Sequence, residues 1–152
     1  MARDARCADS LSAPAGEWPS APSQVGLTMR IALALILIAH GVANLPGFVV
    51  PWRLAAPNGM TYKTTLFAGL INVGDVGIRV VGMLWLLAAL ALAVCGVGAL
   101  ARAPWWTSAT LIAALFSLVL SIAGWPHSRI GVFANVAIII MLFASRHLGW
   151  LR

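Results

Sequence analysis

The sequence predicts an all-α membrane protein, a four-transmembrane-helix bundle with a short re-entrant or interfacial segment between helices 1 and 2. Of its 152 residues, 61% are hydrophobic and 9% are charged, against roughly 25% charged residues in soluble domains. Four apolar runs are each long enough to cross a hydrocarbon core of about 30 Å. Most of the tryptophans fall at the ends of these runs, as in the aromatic belts of membrane proteins.

The chain starts with a polar stretch that leads into the first apolar run. Residues 1–26 are rich in Ala, Ser and Pro without apolar periodicity, which predicts a disordered tail before a transmembrane domain at 27–152. The first span is expected at 29–50, where Pro46 should end or kink the helix and free a backbone carbonyl. Asn44 then has two interpretations, as the donor to that carbonyl or as a ligand contact.

The apolar segment at 64–73 is too short to cross a bilayer, so it is expected to be re-entrant or interfacial. Asp75 and Arg79 stand four residues apart where the second span begins, which favours an ion pair along the helix or a helix cap. The remaining spans are expected at 76–101, 105–124 and 130–145.

Charge and ligand chemistry exclude several classes of protein. The net charge of +6 comes from single Lys and Arg residues at span ends, without a basic stripe, so no nucleic acid is expected as a partner. Such cations are expected to snorkel toward lipid headgroups, and their distribution favours a cytoplasmic location for both termini. The three histidines are far apart in sequence and Asp75 is the only acid after Glu17, so no metal site is expected.

Polar residues inside the spans are costly and must have a role. At the depth of the second half of span one, all four spans carry polar groups, which predicts a polar pocket open to the outer face. The pocket candidates are His40, Asn44, Asp75, Arg79, Trp85, Ser121 and Asn135, with Ser117 at the same depth. The loop between spans three and four supplies candidates for the pocket mouth, namely Trp125, His127 and Arg129.

Each candidate also has a structural interpretation. His40 and Asn44 lie one helical turn apart, and a His with one acid can relay a proton or hold a quinone-like carbonyl. Equally, polar side chains form hydrogen bonds between membrane helices, and this is the more ordinary role for the serines. Trp85 either fills the core of the bundle or forms an aromatic wall for a flat ligand.

Three stretches carry a family resemblance: AHGVANLPGF at the end of span one, VGDVGIRVVGMLWLL at the start of span two, and LSIAGWPHSRIGVFANVAIII across the loop between spans three and four. With them, most of the chain after Arg30 resembles the DoxX-like family of small four-helix bacterial membrane proteins. The resemblance implies the bacterial plasma (inner) membrane and, for some members, association with quinone-linked sulfur or thiol redox complexes.

Three hypotheses for the function follow. The first is an accessory, non-catalytic subunit of a redox-linked complex that binds a quinone-like or lipid-like molecule in the polar pocket. The second is a small membrane oxidoreductase in which His40 and Asp75 handle protons. The third is a structural membrane scaffold, or a homo-oligomer, in which the polar residues only lock helices together. Expected partners are therefore membrane lipid and a redox partner subunit, with quinone as the candidate cofactor.

Overall fold

The computed structural model describes residues 24–57 and 60–147 of the chain. Within these residues, four helices are long and apolar enough to cross a membrane, as predicted. A short fifth helix follows the first, and a two-stranded antiparallel hairpin precedes the second long helix. The elements are α1 (Gln24–Ala43), α2 (Pro46–Val49), β1 (Thr65–Leu66), β2 (Ile71–Asn72), α3 (Gly74–Leu100), α4 (Trp106–Ala123) and α5 (Arg129–His147).

The predicted spans agree well with the long helices. For α3, α4 and α5 the predicted and observed ends differ by at most two residues. The first helix begins earlier than expected, because α1 already includes Gln24. Residues 24–26 of the predicted tail are therefore helical, and the rest of that tail lies outside the described residues.

Pro46 ends the first helix, as its ring geometry requires. Helix α1 stops at Ala43, and Pro46 opens the single turn of α2. The carbonyl of Val42 accepts a hydrogen bond from the backbone N–H of Leu45 at 3.0 Å. Of the two interpretations of Asn44, the one in which its side chain supplies this donor is therefore wrong, because the backbone N–H of Leu45 already does so and the Asn44 side chain bonds to Ser117.

The long helices share one apolar core. Helix α1 packs against α3, α3 against α4, and α4 against α5. The close approach of α1 and α3 depends on glycine: a Cβ on Gly41 would lie 2.7 Å from the carbonyl oxygen of Ala89, and a Cβ on Gly96 would lie 2.9 Å from that of Ala34. The core contains Leu33, Ala34, Leu37, Leu92, Cys95, Ala99, Trp106, Ala113, Ala114, Ile138 and Leu142.

The segment between α2 and α3 differs from a simple apolar stretch. Strands β1 and β2 pair with Thr65 opposite Asn72, and a 3-10 turn at Phe67–Gly69 joins them. At this turn the backbone N–H of Ala68 donates to the carbonyl of Trp125 at 2.9 Å. The hairpin is thereby bonded to the loop between α4 and α5.

Two residues at span ends are more deeply buried than the sequence suggested. Trp52, Trp105 and Trp125 are exposed, in keeping with an aromatic belt, but Trp106 is 5% exposed and belongs to the core. Arg30 is 8% exposed, and its Nε and Nη1 atoms have no hydrogen-bond partner among residues 24–57 and 60–147. Arg30 is therefore an exception to the snorkelling that was expected for most of these cations. Trp150 lies outside the described residues.

Candidate functional site

Five polar side chains from three of the four spans form one buried hydrogen-bond network. Helix α1 contributes His40, Asn44 follows its end, α4 contributes two serines, and α5 contributes Asn135. Each of these side chains is at least nine-tenths buried. We call the set the buried network: His40, Asn44, Ser117, Ser121 and Asn135.

Asn135 lies at the centre of the buried network. Its Nδ2 donates to the Gly131 carbonyl at 2.8 Å, to Ser117 Oγ at 3.1 Å and, more weakly, to Ser121 Oγ at 3.4 Å. Its Oδ1 lies 3.1 Å from Nε2 of His40. Because the Gly131 carbonyl can only accept, the amide orientation of Asn135 is fixed, and Nε2 of His40 must be the donor to Oδ1.

The side chain of Asn44 is held by α4. Its Nδ2 donates to Ser117 Oγ at 3.1 Å, so Ser117 accepts from two asparagines on different elements. Ser117 and Ser121 are fully buried, and their hydroxyl groups bond to protein side chains. These contacts correspond to the structural interpretation of the serines.

A cavity of about 400 Å³ lies beside the buried network, and His40 and Asn44 form part of its wall. Another part of the wall is apolar and is formed by residues of α3, among them Ile78, Val81 and Trp85. Ser121 and Asn135 lie behind the wall and do not line it. The described part of the wall contains no acidic residue; its other polar members are Thr61, Lys63, Thr65, His127 and Ser128.

Trp85 lies in the core, as one of its two interpretations had it, and its role toward a flat ligand stays a prediction. It is 9% exposed and packs with Ala88 and Leu120 in a small apolar cluster. Its ring also fits against Gly47, where any Cβ would overlap the indole. The same ring forms part of the cavity wall, so Trp85 is at once a core residue and an aromatic surface toward the cavity.

Asp75 and Arg79 do not join the buried network or the cavity wall. Asp75 accepts a hydrogen bond from the hydroxyl of Tyr62 and lies 3.6 Å from the guanidinium of Arg53. The expected pairing of Asp75 with Arg79 is therefore replaced by contacts to the preceding loop. Arg79 instead accepts, through its backbone carbonyl, a hydrogen bond from the indole of Trp52 at 3.2 Å.

We call Arg53, Tyr62 and Asp75 the exposed cluster. The guanidinium of Arg53 lies 4.2 Å from the centre of the Tyr62 ring, in a cation–π geometry. The hydrogen bond to Asp75 raises the pKa of the Tyr62 phenol, because ionising the phenol would lose this bond and face a carboxylate. The ion pair itself is solvent-exposed, so it contributes little to stability.

The three residues predicted at the pocket mouth lie in different places. His127 lines the cavity, whereas Trp125 lines a neighbouring cavity of about 310 Å³. Lys63 and His127 belong to both walls and so stand between the two openings. Arg129 begins α5 and lines neither cavity.

Sequence reasoning missed the contribution of the loop before β1. Thr61 and Lys63 line the cavity, and the neighbouring Tyr62 anchors that loop to Asp75. A single tyrosine next to a lysine in an interfacial loop carries no distinctive spacing, so no signal marked them. Within residues 24–57 and 60–147, no three His, Cys, Asp or Glu side chains are grouped to hold a metal ion.

The fold and the site together define a multi-pass membrane protein with a buried polar network beside a partly apolar cavity. No protein-family model, no curated protein and no solved structure matches the chain. The similarity to the DoxX-like family therefore stays a prediction from the motifs.

Proposed function

We propose that this protein binds a quinone-like or lipid-like amphiphile in the cavity between its membrane helices. The cavity is the main support for this proposal. Its volume of about 400 Å³ is within the range of small-molecule sites, and its wall combines a few polar groups with a largely apolar surface. His40 and Asn44 would hold the polar part of the molecule, and Trp85 would cover a flat or apolar part. The buried network supports this by fixing both polar side chains.

We further propose that the four long helices cross the membrane as a bundle, with the β1–β2 hairpin at the outer interface. The shared core supports the bundle, and the hydrogen bond from Ala68 to Trp125 supports a position of the hairpin beside the α4–α5 loop. A bacterial plasma membrane with both termini in the cytoplasm is the location that the motifs and the distribution of cations favour.

The proposed cellular role is that of an accessory subunit of a redox-linked membrane complex, with DoxX-like relatives. The motifs quoted above are its basis. The absence of an acid from the described part of the cavity wall supports a binding role over catalysis, because His40 has no carboxylate beside it there. The oxidoreductase alternative has less support, because Asp75 bonds to Tyr62 and lies off the wall.

One observation favours a purely structural scaffold as the second candidate. The hydrogen bonds of Ser117, Ser121 and Asn135 run to other groups of the protein, as expected for side chains that lock helices together. A scaffold would keep these bonds and leave the cavity to bulk lipid.

A cavity-filling variant separates the two candidates. Val81 lines the cavity, and its neighbour Val80 is 55% exposed on the same helix. We expect Val81→Trp to remove a co-purifying amphiphile by occupying its place, whereas the matched control Val80→Trp should retain it. The measurement is mass spectrometry of organic extracts from detergent-purified protein, with thermal midpoints to verify folding.

Equal extracts from both variants, or a wild-type protein without any enriched isoprenoid or lipid, would favour the scaffold. Co-purification of a redox protein with the wild-type chain tests the accessory role separately. A monodisperse protein that captures no partner from its native membrane would count against that role while leaving ligand binding intact.

A further inference from the structure

The hydrogen bonds of the buried network specify which atoms His40 and Asn44 can offer to the cavity. His40 uses Nε2 as a donor to Asn135, so in the neutral ring Nδ1 carries a lone pair and no proton. No described residue bonds to Nδ1. Since His40 forms part of the cavity wall, the polar atom that it can present to a bound molecule is an acceptor.

Asn44, like His40, presents a hydrogen-bond acceptor to the cavity. Its amide nitrogen is engaged with Ser117 Oγ, and its Oδ1 has no hydrogen-bond partner among the described residues. Asn44 is 3% exposed and lines the cavity, so its carbonyl oxygen is the second acceptor in that wall. Two unpaired acceptors in a largely apolar cavity are costly unless a molecule supplies a donor.

We infer that the bound amphiphile carries a hydroxyl group that donates to His40 Nδ1 or Asn44 Oδ1, and that a molecule offering only carbonyl or ether oxygens is disfavoured. The inference rests on the proposed binding function and specifies the class of ligand for it. A carbonyl oxygen placed against these atoms would bring acceptor against acceptor. A phenolic hydroxyl, as in a quinol, and an alcohol, as in a glycerolipid, share the chemistry that the wall selects.

Matched pairs of probes test the inference. The protein in nanodiscs is equilibrated with nonylphenol or nonylanisole, with monoolein or methyl oleate, and with decylubiquinol or decylubiquinone. Bound probe is quantified by mass spectrometry, and empty nanodiscs correct for partition into lipid. We expect the hydroxyl member of a pair to bind about tenfold more tightly, as one hydrogen bond to an otherwise unpaired group provides.

Two variants connect the preference to His40. His40→Leu removes one of the two acceptors and should lower the ratio within a pair, whereas His40→Gln keeps both a donor for Asn135 and an acceptor and should preserve it. A preference in the phenol and quinol pairs alone identifies an aromatic hydroxyl, and a preference in the oleate pair alone identifies a glycerolipid alcohol. Thermal midpoints establish that both variants are folded.

The failing outcomes are distinguishable. If both members of every pair bind equally, or the carbonyl and ether members bind more tightly, the hydroxyl inference is overturned while the cavity remains a binding site. If Val81→Trp takes up every probe as well as the wild type does, cavity binding itself is overturned, and the hydroxyl inference with it.

Discussion

The buried network and the exposed cluster both join residues that are distant in sequence, but they differ in what their bonds can do. In the buried network, Asn135 reaches His40, Ser117 and Ser121, and all of these side chains are at least nine-tenths buried. In the exposed cluster, Asp75 and Arg53 have side chains that are 65% and 60% exposed. Water therefore competes for the bonds of the exposed cluster much more readily than for those of the buried network.

This difference shows that a buried polar side chain fixes the orientation of its hydrogen-bond partners, whereas an exposed one does not. A buried donor that loses its partner bears the full cost of desolvation, so the orientation of Asn135 is set by the Gly131 carbonyl oxygen, which can face only the amide nitrogen. That orientation then fixes the tautomer of His40. An exposed bond is exchanged for water at little cost, so the exposed cluster restrains the loop before β1 without specifying chemistry.

The largest effect is expected for Asn135→Leu. This change keeps the branched shape of the side chain but leaves the His40 Nε2–H without its partner and removes the bonds to Ser117 and Ser121. Interhelical hydrogen bonds of this kind contribute about 0.6 kcal/mol each on average, so the loss of several should lower the free energy of unfolding by about 2 kcal/mol. Unfolding in mixed detergent micelles measures it.

Val136→Leu is the matched control, because Val136 is 40% exposed and adjacent on the same helix. If Asn135→Leu unfolded at the same detergent fraction as Val136→Leu, the buried network would not stabilise the fold, and the contrast between the two clusters would fail.

A smaller effect is expected for Ser117→Ala. The variant removes the acceptor shared by Asn44 and Asn135 and should cost about 1 kcal/mol. Ser108→Ala, at an exposed position of the same helix, should change nothing measurable. Combined with Asn135→Leu, the cost of Ser117→Ala should shrink, because the two residues share a bond; full additivity would argue that they act independently.

The smallest effect concerns the exposed cluster and is visible in a titration. Tyr62 is the one tyrosine of the chain, so the near-ultraviolet absorbance of tyrosinate reports this residue alone. We expect its pKa to lie above the ordinary value of about 10, because the phenol donates to Asp75. The bond favours the protonated phenol, so any stability it gives is present below that ordinary value and is lost as the pH rises past the raised pKa.

Asp75→Asn should return the pKa of Tyr62 toward its ordinary value, because the neutral amide no longer repels the phenolate. The thermal midpoint should stay close to that of the wild type. A wild-type titration at the ordinary value, unchanged by the substitution, would show that the hydrogen bond does not persist in solution.

The sequence was sufficient to predict where the long helices lie and at which depth the residues of the buried network meet. Length and hydropathy located the long helices, and proline geometry located the end of α1. A comparison of depth placed His40, Asn44, Ser117, Ser121 and Asn135 at one level, where the structure joins them. These features follow from helical rise, which is regular and therefore readable along a single chain.

The features that the sequence did not predict depend on loop conformation and on the rotation of each helix about its axis, and hydropathy reports neither. Asp75 was expected to pair with Arg79 along its own helix, but loop residues reach it instead. The two-residue strands are too short to show alternation, so the hairpin was not predicted. The burial of Arg30 depends on the direction its helix faces, and position in a span does not determine it.

The glycine contacts between α1 and α3 have a consequence for the shape of the cavity. A Cβ on Gly41 or Gly96 would overlap a backbone carbonyl oxygen of the facing helix, so a larger residue at either position would force the two helices apart. His40 lies next to Gly41 on α1, and Trp85 faces the same cavity from α3. The spacing between these two parts of the wall is therefore set by the absence of a side chain at Gly41 and Gly96.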